Sequence, residues 1–584
     1  MIRRLAASLG EYRKDAVKTP VFVMCEVVME VTIPFLMAGL IDFGIDAGNM
    51  DLVFRLGVVL LFLALLSLFF GVQAGRSAAV AMAGFAKNLR RDMFHNVQTF
   101  SFANIDKFSN SSIITRLTTD VTHVQHAFQM IIRLAARGPL MIIFSLSVAF
   151  SIDSRLSLVF LAAIPFLGVG LYIIMKKAFP VFRRVFKIYD SLNRIVQENV
   201  RGIRVVKSHN REEYEKEKFG HTSQAIFNDF SLAEKIIAFN MPLMQISMYV
   251  SMLMISWFGA RAIVASGNNP LLGLSTGQLM SLMTYTMQIL MSLMMLSMVL
   301  VMITISRASA ERINELLEEK SDLKNNENPL FKVAAGEICF ENVSFSYSKE
   351  ADKMCLKDIN LTIKPGQTIG IIGGTGSAKT TLVQLIPRLY DVSSGQVLVG
   401  GVDVRDYDLQ SLRDQVAVVL QKNVLFTGTI KDNLLWGNRA AGDEELVRAC
   451  KLAQADDFIR SFPGQYDYHI EQGGANLSGG QKQRLCLARA LLKSPKILIL
   501  DDSTSAVDTG TEARIRRALN RELPGTTKLI ISQRVASVED ADKIIVMDDG
   551  KISAVGTHEE LLETCQIYQE VYQSQVEGGR SIAS

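Results

Sequence analysis

Long apolar runs fill the first half of the chain and give way to mixed polar patterns after about residue 306. A membrane-spanning helix needs roughly 20 mostly apolar residues. The stretches that meet this length lie at residues 19–41, 56–75, 127–150, 156–176, 238–262 and 277–305. We therefore predict an all-helical membrane domain over residues 1–310, with six spans and an amphipathic helix along the inner membrane surface before the first.

Lys and Arg are unevenly distributed among the connections between these spans. The N-terminus and the long connections at 76–126 and 177–237 are basic, whereas residues 42–53, 151–154 and 263–276 contain no Lys or Arg. Basic loops favour the cytoplasmic side, so we expect both termini to be cytoplasmic in a cell (inner) membrane. The N-terminus lacks a short apolar core followed by a small-residue cleavage site, so we expect no cleaved signal peptide.

The two long basic connections are charged, yet they contain little proline and many Ala, Val and Ile residues. We expect the spanning helices to continue through them into the cytosol. Each pair of helices would then meet in a short tip, one near Ser111–Arg116 and the other near Asn210–Tyr214.

Two carboxylates and a methionine stripe stand out within the spans. Glu26 and Glu30 lie one helical turn apart, and intramembrane charges face either a cavity or a partner. They either attract cations to a translocation path or pair with Arg or hydroxyl groups between packed helices. Flexible thioethers can line an adaptable substrate cavity, although ordinary helix packing explains them too. The candidate lining methionines are Met244, Met248, Met287, Met291 and Met298.

A soluble α/β domain is predicted at 336–575, after a linker at 311–335 and before a tail at 576–584. A buried strand at 367–372 leads into a glycine-rich loop and then a helix, which is the context of a phosphate-binding P-loop. Its residues are Gly373, Gly374, Thr375, Gly376, Ser377, Ala378, Lys379, Thr380 and Thr381.

Two P-loop side chains have predictable tasks, and one position departs from the pattern. Lys379 neutralises the β/γ-phosphate oxygens and Thr380 ligates Mg²⁺. Ala378 replaces the glycine that normally precedes this lysine. We expect ATP binding to persist, because alanine accepts most conformations with negative φ.

Further motifs lie on either side of the P-loop along the chain. Tyr347 can stack on adenine, and Gln421, after a strand, can reach Mg²⁺ and the attacking water. A strand at 497–500 ends in Asp501, which would hold Mg²⁺ through water, and residues 505–508 form a turn by which two sites communicate. An anion-binding helix start is predicted at Ser478, Gly479, Gly480 and Gln481, the last four residues of the sequence LSGGQ at 477–481.

Composition narrows the classes of function that the chain can have. The chain has 584 residues, 49% of them hydrophobic, a net charge of +4 and six cysteines. A charge this small, without a basic stripe interleaved with aromatics, argues against nucleic-acid binding. The cysteines have neither CxxC nor His-rich spacing, which favours reduced thiols over a disulfide framework or a zinc site.

These motifs together resemble a half-transporter of the ATP-binding cassette (ABC) exporter family along essentially the whole chain. Residues 116–121 (RLTTDV) and 197–207 (QENVRGIRVVK) are similar to the family's cytoplasmic helical segments. The resemblance implies a dimer that holds each ATP between the P-loop of one chain and the LSGGQ of the other. It also implies that the tips are coupling helices docking on the ATPase domains, the second on the partner's.

Two positions depart from what the family carries. Asp502 stands where the family has a glutamate general base, and Gln533 stands where it has a histidine. A general base must approach to about 2.6–3.2 Å, and aspartate is one methylene shorter. Gln533 cannot carry the charge that a histidine offers the γ-phosphate. We expect slow ATP hydrolysis at this chain's own site. The alternative is that both substitutions are conservative and leave hydrolysis unaffected.

The working hypothesis is therefore one subunit of a heterodimeric exporter for apolar or amphipathic compounds such as drugs, lipids or peptides. Its expected partner is a second half-transporter with the glutamate and the histidine in place. A homodimeric lipid or peptide exporter with weak ATPase activity stays open, as does an importer on the same fold. The six spans exclude a soluble cassette ATPase.

Overall fold

The computed structural model describes residues 1–269, 273–347 and 354–583, and the chain forms two compact units. The first contains residues 1–98 and 109–319, and the second contains residues 99–108 with the chain from 320 onward. Part of the polar connection at 263–276, residues 270–272, lies outside the described residues.

The first unit consists of long helices with the short helices α1 and α5, and the short helix α4 belongs to the second unit. In chain order they are α1 Ile2–Ala7, α2 Arg13–Gly39, α3 Met50–Gln98, α4 Phe102–Phe108, α5 Asn110–Thr115, α6 Val121–Ile152, α7 Ser154–Ser208, α8 Glu212–Ala238, α9 Asn240–Ser266 and α10 Thr276–Glu318. Six helical stretches among the described residues are long and apolar enough to cross a membrane. Each contains one of the predicted spans, which confirms their number and order.

The helices continue well beyond the apolar spans, as predicted. Helix α7 has 55 residues, which corresponds to a length of about 80 Å. The second tip lies at 209–211, between α7 and α8. The prediction for the first tip was wrong: the chain crosses over through α4, and residues 111–115 are already in α5. The reason is local, because the Ser109 side chain accepts a hydrogen bond from the Ser112 amide and caps α5 at its start.

A buried carboxylate joins α10 to the turn that precedes α6. Asp120 is only 1% exposed. It accepts hydrogen bonds from the Ser309 hydroxyl at 2.8 Å and from Arg312 Nε at 2.7 Å. Nearby, Arg116 donates to Glu315 at 2.9 Å. Aspartate and arginine are rarely buried without such pairing, so these contacts account for polar positions in an otherwise apolar helix interface.

The membrane carboxylates are paired. Arg137 of α6 donates to Glu26 at 2.6 Å and to Glu30 at 2.6 and 2.7 Å, both on α2. This is the arginine pairing between packed helices that the sequence left open. Gly71 of α3 makes room for it, because a Cβ there would lie 3.1 Å from the Glu26 carboxylate. The three side chains join α2 to α6.

The second unit is built on mixed sheets. Its strands are β1 Ile338–Phe345, β2 Leu356–Ile363, β3 Thr368–Gly373, β4 Ser394–Val399, β5 Val402–Asp403, β6 Val416–Val419, β7 Gly428–Thr429, β8 His469–Ile470, β9 Ile497–Asp501, β10 Thr527–Ile531, β11 Lys543–Asp548 and β12 Lys551–Gly556. The central sheet has the order β12-β11-β3-β10-β9-β6 and is parallel except for β12. An antiparallel sheet has the order β2-β1-β4-β5.

Helices cover the central sheet. They are α11 Lys379–Gln384, α12 Leu409–Gln415, α13 Ile430–Leu435, α14 Asp443–Leu452, α15 Asp456–Ser461, α16 Gly479–Leu491, α17 Thr509–Glu522, α18 His558–Thr564 and α19 Gln566–Ala583. The strands β3, β9 and β10 are nearly continuous runs of buried apolar residues, as expected for parallel strands covered on both faces. Together with the membrane helices, this is the predicted fold class.

The short helix α4 docks within the second unit. The Tyr390 hydroxyl donates to Asp106 at 2.8 Å, and the rings of Phe102 and Tyr390 lie 6.1 Å apart. Residues 99–108 thus pack as part of the second unit. Burial and the nearby Asp106 charge raise the pKa of Tyr390 above its usual range, so this hydroxyl stays protonated and can donate.

Replacing Arg137 with leucine should leave Glu26 and Glu30 without their cation. Removing one partner of a buried ion pair costs about 3–5 kcal/mol, so we expect the melting midpoint of the detergent-solubilised protein to fall by about 10 °C. The matched control is Arg133→Leu, on the same helix, for which the described residues show no ion pair. Adding Glu26→Gln and Glu30→Gln to Arg137→Leu should recover much of the loss. Equal melting of Arg137→Leu and Arg133→Leu would contradict this account.

Candidate functional site

Four neighbouring parallel strands bring the sequence motifs together. In the order β3-β10-β9-β6, they are followed by the P-loop, Gln533, Asp502 and Gln421, with Asp501 the last residue of β9. Ligands bind outside the carboxyl ends of strands in open α/β sheets. The predicted phosphate, metal and hydrolysis residues therefore share one edge of the sheet, although the sequence separates them by up to about 160 positions.

The P-loop is folded around its lysine. Lys379 Nζ donates to the carbonyl oxygens of Gly373 at 2.8 Å and Gly374 at 2.7 Å, and lies 3.3 Å from the Ser377 hydroxyl. Gly373 needs to be glycine, because a Cβ there would collide with the Met547 carbonyl oxygen. The lysine thus lies across the loop that Thr375 and Gly376 complete, in place to meet phosphate oxygens.

Ala378 adopts a left-handed conformation, which corrects the expectation of a negative φ. Its φ is +69° and its ψ is +24°, and it is the residue before the first turn of α11. Left-handed backbone costs an L-residue roughly 1–2 kcal/mol because its Cβ approaches the following carbonyl, whereas glycine has no Cβ. The alanine is therefore strained at a position where glycine would be relaxed.

Thr380 and Asp501, the residues predicted to hold Mg²⁺, form a hydroxyl–carboxylate pair. The Thr380 hydroxyl donates to Asp501 at 3.1 Å. Mg²⁺ prefers oxygen ligands and typically takes one or two carboxylates together with substrate phosphates. This hydroxyl and carboxylate fit that ligand set, and Mg²⁺ bound there would offset phosphate charge.

The charges at this edge are poorly hydrated. Burial lowers the pKa of the Lys379 ammonium, against the opposing effect of Asp501 and Asp502. Burial also raises the pKa of Asp501, with a contribution from the Asp502 charge and against the hydrogen bond from Thr380. An anionic phosphate beside Lys379 and a cation beside Asp501 would relieve both effects, so the electrostatics favour a metal–polyphosphate ligand.

Asp502 lies beside the residue predicted to order the water. The Gln421 amide donates to the Asp502 carboxylate at 3.4 Å. The backbone of Asp502 is left-handed, with φ of +47°, and its amide donates to the Ile531 carbonyl at 3.0 Å. Aspartate is one of the residues that tolerate this conformation best. Gln421 and Asp502 are thus brought together as predicted, and the carboxylate is on a side chain one methylene shorter than glutamate.

Tyr347 lies at the other end of the P-loop helix. Its hydroxyl lies 3.0 Å from the Thr381 hydroxyl and donates to Gln384 at 3.3 Å. The residue is 51% exposed, and its ring is nearly perpendicular to the rings of Phe345 and Tyr390, 4.9 and 5.1 Å away. Tyr347 is thus held in place by aromatic neighbours while half of its surface stays accessible.

The LSGGQ segment is preformed. Ser478 accepts from the Gln481 amide, and the Gln481 side chain accepts from the Ser478 amide at 2.9 Å, which makes a capping box at the start of α16. Ser478 and Gly479 are exposed. Gly480 packs on the following loop, because a Cβ there would lie 2.8 Å from the Ala506 carbonyl oxygen. The exposed helix start can bind an anion supplied from outside the domain.

Sequence reasoning missed Gln483. Its side-chain oxygen accepts from the Ala506 amide at 3.0 Å, and its amide donates to Ser505 at 3.2 Å. Ser505 in turn donates to the Asp502 carbonyl at 3.0 Å. Its position two residues after the LSGGQ was the only sequence clue. This glutamine links the LSGGQ helix to the turn that follows Asp502.

Comparisons with known proteins agree with this geometry. A family model described as "ABC transporter transmembrane region" matches residues 19–293, and one described as "ABC transporter" matches residues 356–505. The uncharacterized ABC transporter ATP-binding protein YfiB of Bacillus subtilis is 36% identical over 555 residues, 95% of each chain. The chain belongs to the ABC transporter family. A second relative, Rv1273c of Mycobacterium tuberculosis, is 34% identical over 98% of each chain.

A solved structure supports the fold. The chain of a bacterial Atm1-family ABC exporter with ATP bound superimposes with a TM-score of 0.82, at 22% identity, over 96% of this chain and 99% of the other. This ABC transporter therefore has the exporter fold, with a membrane domain fused to one ATPase domain. Its ATPase domain implies ATP binding, usually with Mg²⁺.

Ala378→Gly should stabilise the ATPase domain by about 1 kcal/mol, because glycine adopts the left-handed conformation without strain. The relaxed loop should also bind ATP several-fold more tightly. The measurements are thermal unfolding and titration with a fluorescent ATP analogue.

The matched control for Ala378→Gly is Ala518→Gly, which lies inside α17. Glycine in a helix interior should destabilise by about 1 kcal/mol, so the two substitutions should have opposite signs. A loss of stability in Ala378→Gly similar to that in Ala518→Gly would contradict the strain at Ala378.

Proposed function

We propose that this chain is the subunit of a heterodimeric ABC exporter that holds ATP in its own slowly hydrolysing site. Its LSGGQ completes the hydrolytically competent ATP site of a second half-transporter. That second chain would carry a glutamate and a histidine at the positions of Asp502 and Gln533. Tyr347, Lys379 and Thr380 would hold ATP in this chain's own site.

The contrast within one domain carries this proposal. The LSGGQ helix start is capped and exposed at Ser478, so it has what is needed to complete another chain's site. In the same domain, the position of the general base has a shortened carboxylate. Complementing a partner's site and hydrolysing at its own site are thus separate properties of this chain.

Geometry supports slow hydrolysis at its own site. The carboxylate of Asp502 is near the Gln421 amide, and the Asp502 amide is bound to the Ile531 carbonyl. This backbone contact ties the start of the side chain to β10, which opposes a forward shift of Asp502 that would make up for its missing methylene. Effective general-base catalysis requires close heavy-atom contact.

A homodimeric exporter with weak ATPase activity is the second candidate. The contact between Gln421 and Asp502 favours it, because a carboxylate still lies beside the residue that would order the water. In that case hydrolysis by the chain alone would be slow but real.

The proposed cargo is apolar or amphipathic. Met287, Met291 and Met298 on α10 are 44%, 59% and 63% exposed within the single chain. Met244 and Met248 on α9 are half-buried, and Met248 packs against an apolar cluster. The exposed thioethers suit a cavity completed by a partner chain. Glu26 and Glu30 would contribute to cation attraction only in part, because Arg137 offsets their charge.

The proposed setting is the cell membrane, with both termini cytoplasmic. The basic connections at 76–126 and 177–237 support this orientation through the positive-inside rule. Both belong to the segments in which α3 and α7 extend beyond their apolar spans.

The purified chain should hydrolyse ATP barely above background, and Asp502→Glu with Gln533→His should raise its rate. General-base catalysis contributes about 10²–10⁴-fold, so we expect a gain of at least about 100-fold. The measurement is phosphate release in nanodiscs. Asp502→Asn with Gln533→His is the matched control and should stay at background.

Adding Lys379→Ala to the double variant should return it to background. Robust turnover by the unmodified chain alone, abolished by Lys379→Ala, would contradict the heterodimer. Slow turnover with the same lysine dependence would favour the homodimer.

Met291→Ala with Met298→Ala should change the apparent KM for a lipophilic cationic dye several-fold in the reconstituted transporter, without changing its basal ATPase rate. The control is Met283→Ala, on the same helix but packed against the apolar interior of the first unit, which should lower thermal stability instead. Unchanged dye and lipid transport in the double variant would contradict a cavity role for this stripe.

A further inference from the structure

The loop after β10 is held by the C-terminal helix. The side-chain amide of Gln575, on α19, donates to the carbonyl oxygen of Gln533 at 2.7 Å. The same side chain accepts from the backbone amide of Val535 at 2.9 Å. We call residues 532–537 the β10 loop. One side chain about 40 positions away thus binds it at two points.

This double contact uses both ends of a carboxamide. A backbone carbonyl accepts and a backbone N–H donates, so the side chain that bridges them must do both, and the Gln575 amide does so with its separate nitrogen and oxygen atoms. A glutamate at 575 would keep the bond from Val535 and lose the one to Gln533. The two-point contact therefore gives a specific chemical signature for testing.

The contact fixes the backbone and leaves the Gln533 side chain available. Val535 is 2% exposed, and the Arg534 amide donates to the Ser532 hydroxyl at 3.0 Å. The Gln533 side chain is exposed. Because β10 lies between β3 and β9, the loop leaves the sheet between the P-loop and Asp501. Its backbone position decides where the Gln533 side chain can reach.

Helix α19 is itself anchored in the domain. Tyr568 is fully buried, and its hydroxyl lies 2.7 Å from His558 Nδ1 on α18. Gln569 donates to the Leu562 carbonyl at 2.6 Å. The helix can therefore serve as a rigid support for the β10 loop.

We infer that Gln575 is a positioning residue, which holds the β10 loop so that Gln533 faces the γ-phosphate of ATP bound at this chain's own site. The inference rests on the proposed function for the role of Gln533 at that phosphate. It gives the C-terminal helix a part in discriminating ATP from ADP. None of the sequence motifs includes this residue.

The test uses the full chain in nanodiscs and the ratio of ADP to ATP dissociation constants. Losing one or two hydrogen bonds should lower the preference for ATP about 5-fold in Gln575→Ala, with ADP affinity unchanged. Gln575→Glu, which keeps the contact from Val535, should lower it by no more than Gln575→Ala. Gln573→Ala, an exposed glutamine on the same helix, is the matched control and should leave the ratio unchanged.

Hydrogen exchange of the β10 loop without nucleotide provides a second readout that does not depend on the proposed function. Exchange at residues 533–535 should quicken in Gln575→Ala, quicken by less in Gln575→Glu, and stay unchanged in Gln573→Ala. Unchanged exchange in all three variants would overturn the bracing of the loop.

The double variant separates the two ideas. If Gln533 reads the γ-phosphate, Gln533→Ala alone should lower the ATP preference, and adding Gln575→Ala should have no further effect. If Gln533→Ala lowers the preference for ATP and Gln575→Ala does not, the inference is overturned and the proposed function stands. No change in Gln533→Ala removes the proposed role of Gln533 itself. Full additivity of the two substitutions also overturns the positioning role.

Discussion

The ATP site depends on one backbone constraint at the carboxyl ends of the parallel strands β3 and β9, which flank β10. To place amides and side chains around a phosphate, the chain must turn sharply as it leaves the sheet. It does so with left-handed residues at Ala378 before α11 and at Asp502 after β9. Such conformations are costly for most residues. Residue identity at these turns therefore affects the stability of the site as well as its chemistry.

The two turns carry different residues for the same geometry, with different consequences. Asp502 suits its turn, because aspartate tolerates left-handed backbone, but its carboxylate is short for catalysis. Ala378 does not suit its turn, although its N–H is retained for phosphate. On the proposed function, the departure at Asp502 would reduce reactivity with little conformational cost, whereas Ala378 introduces strain with no change in the chemical groups. The proposal therefore places the main effect on hydrolysis and a smaller one on nucleotide binding.

Much of this arrangement could be predicted from sequence, because it rests on local patterns. The six spans follow from apolar run length, and the P-loop, Asp501 and LSGGQ follow from short motifs in a fixed order. The rest depends on contacts between distant positions. The pairing of Arg137 with Glu26 and Glu30 spans over 100 residues. The α4 crossover is an exception, because it follows from a local cap at Ser109 that the sequence interpretation missed. The left-handed φ of Ala378 follows from the loop's closure around Lys379, which no local propensity indicates.

The contacts of Gln483 suggest how one chain can serve two sites at once. Its side chain binds Ser505 and the Ala506 amide, and Ser505 binds the Asp502 carbonyl. On the proposed function, a displacement of the LSGGQ helix on engagement of a partner's nucleotide would pass through these two side chains to the backbone of Asp502. Coupling requires an element that both sites bias, and the turn at 505–506 is the element that contacts both the LSGGQ helix and Asp502. In the proposed heterodimer, a slow site that keeps its ATP would hold this turn in one state while the partner's site cycles.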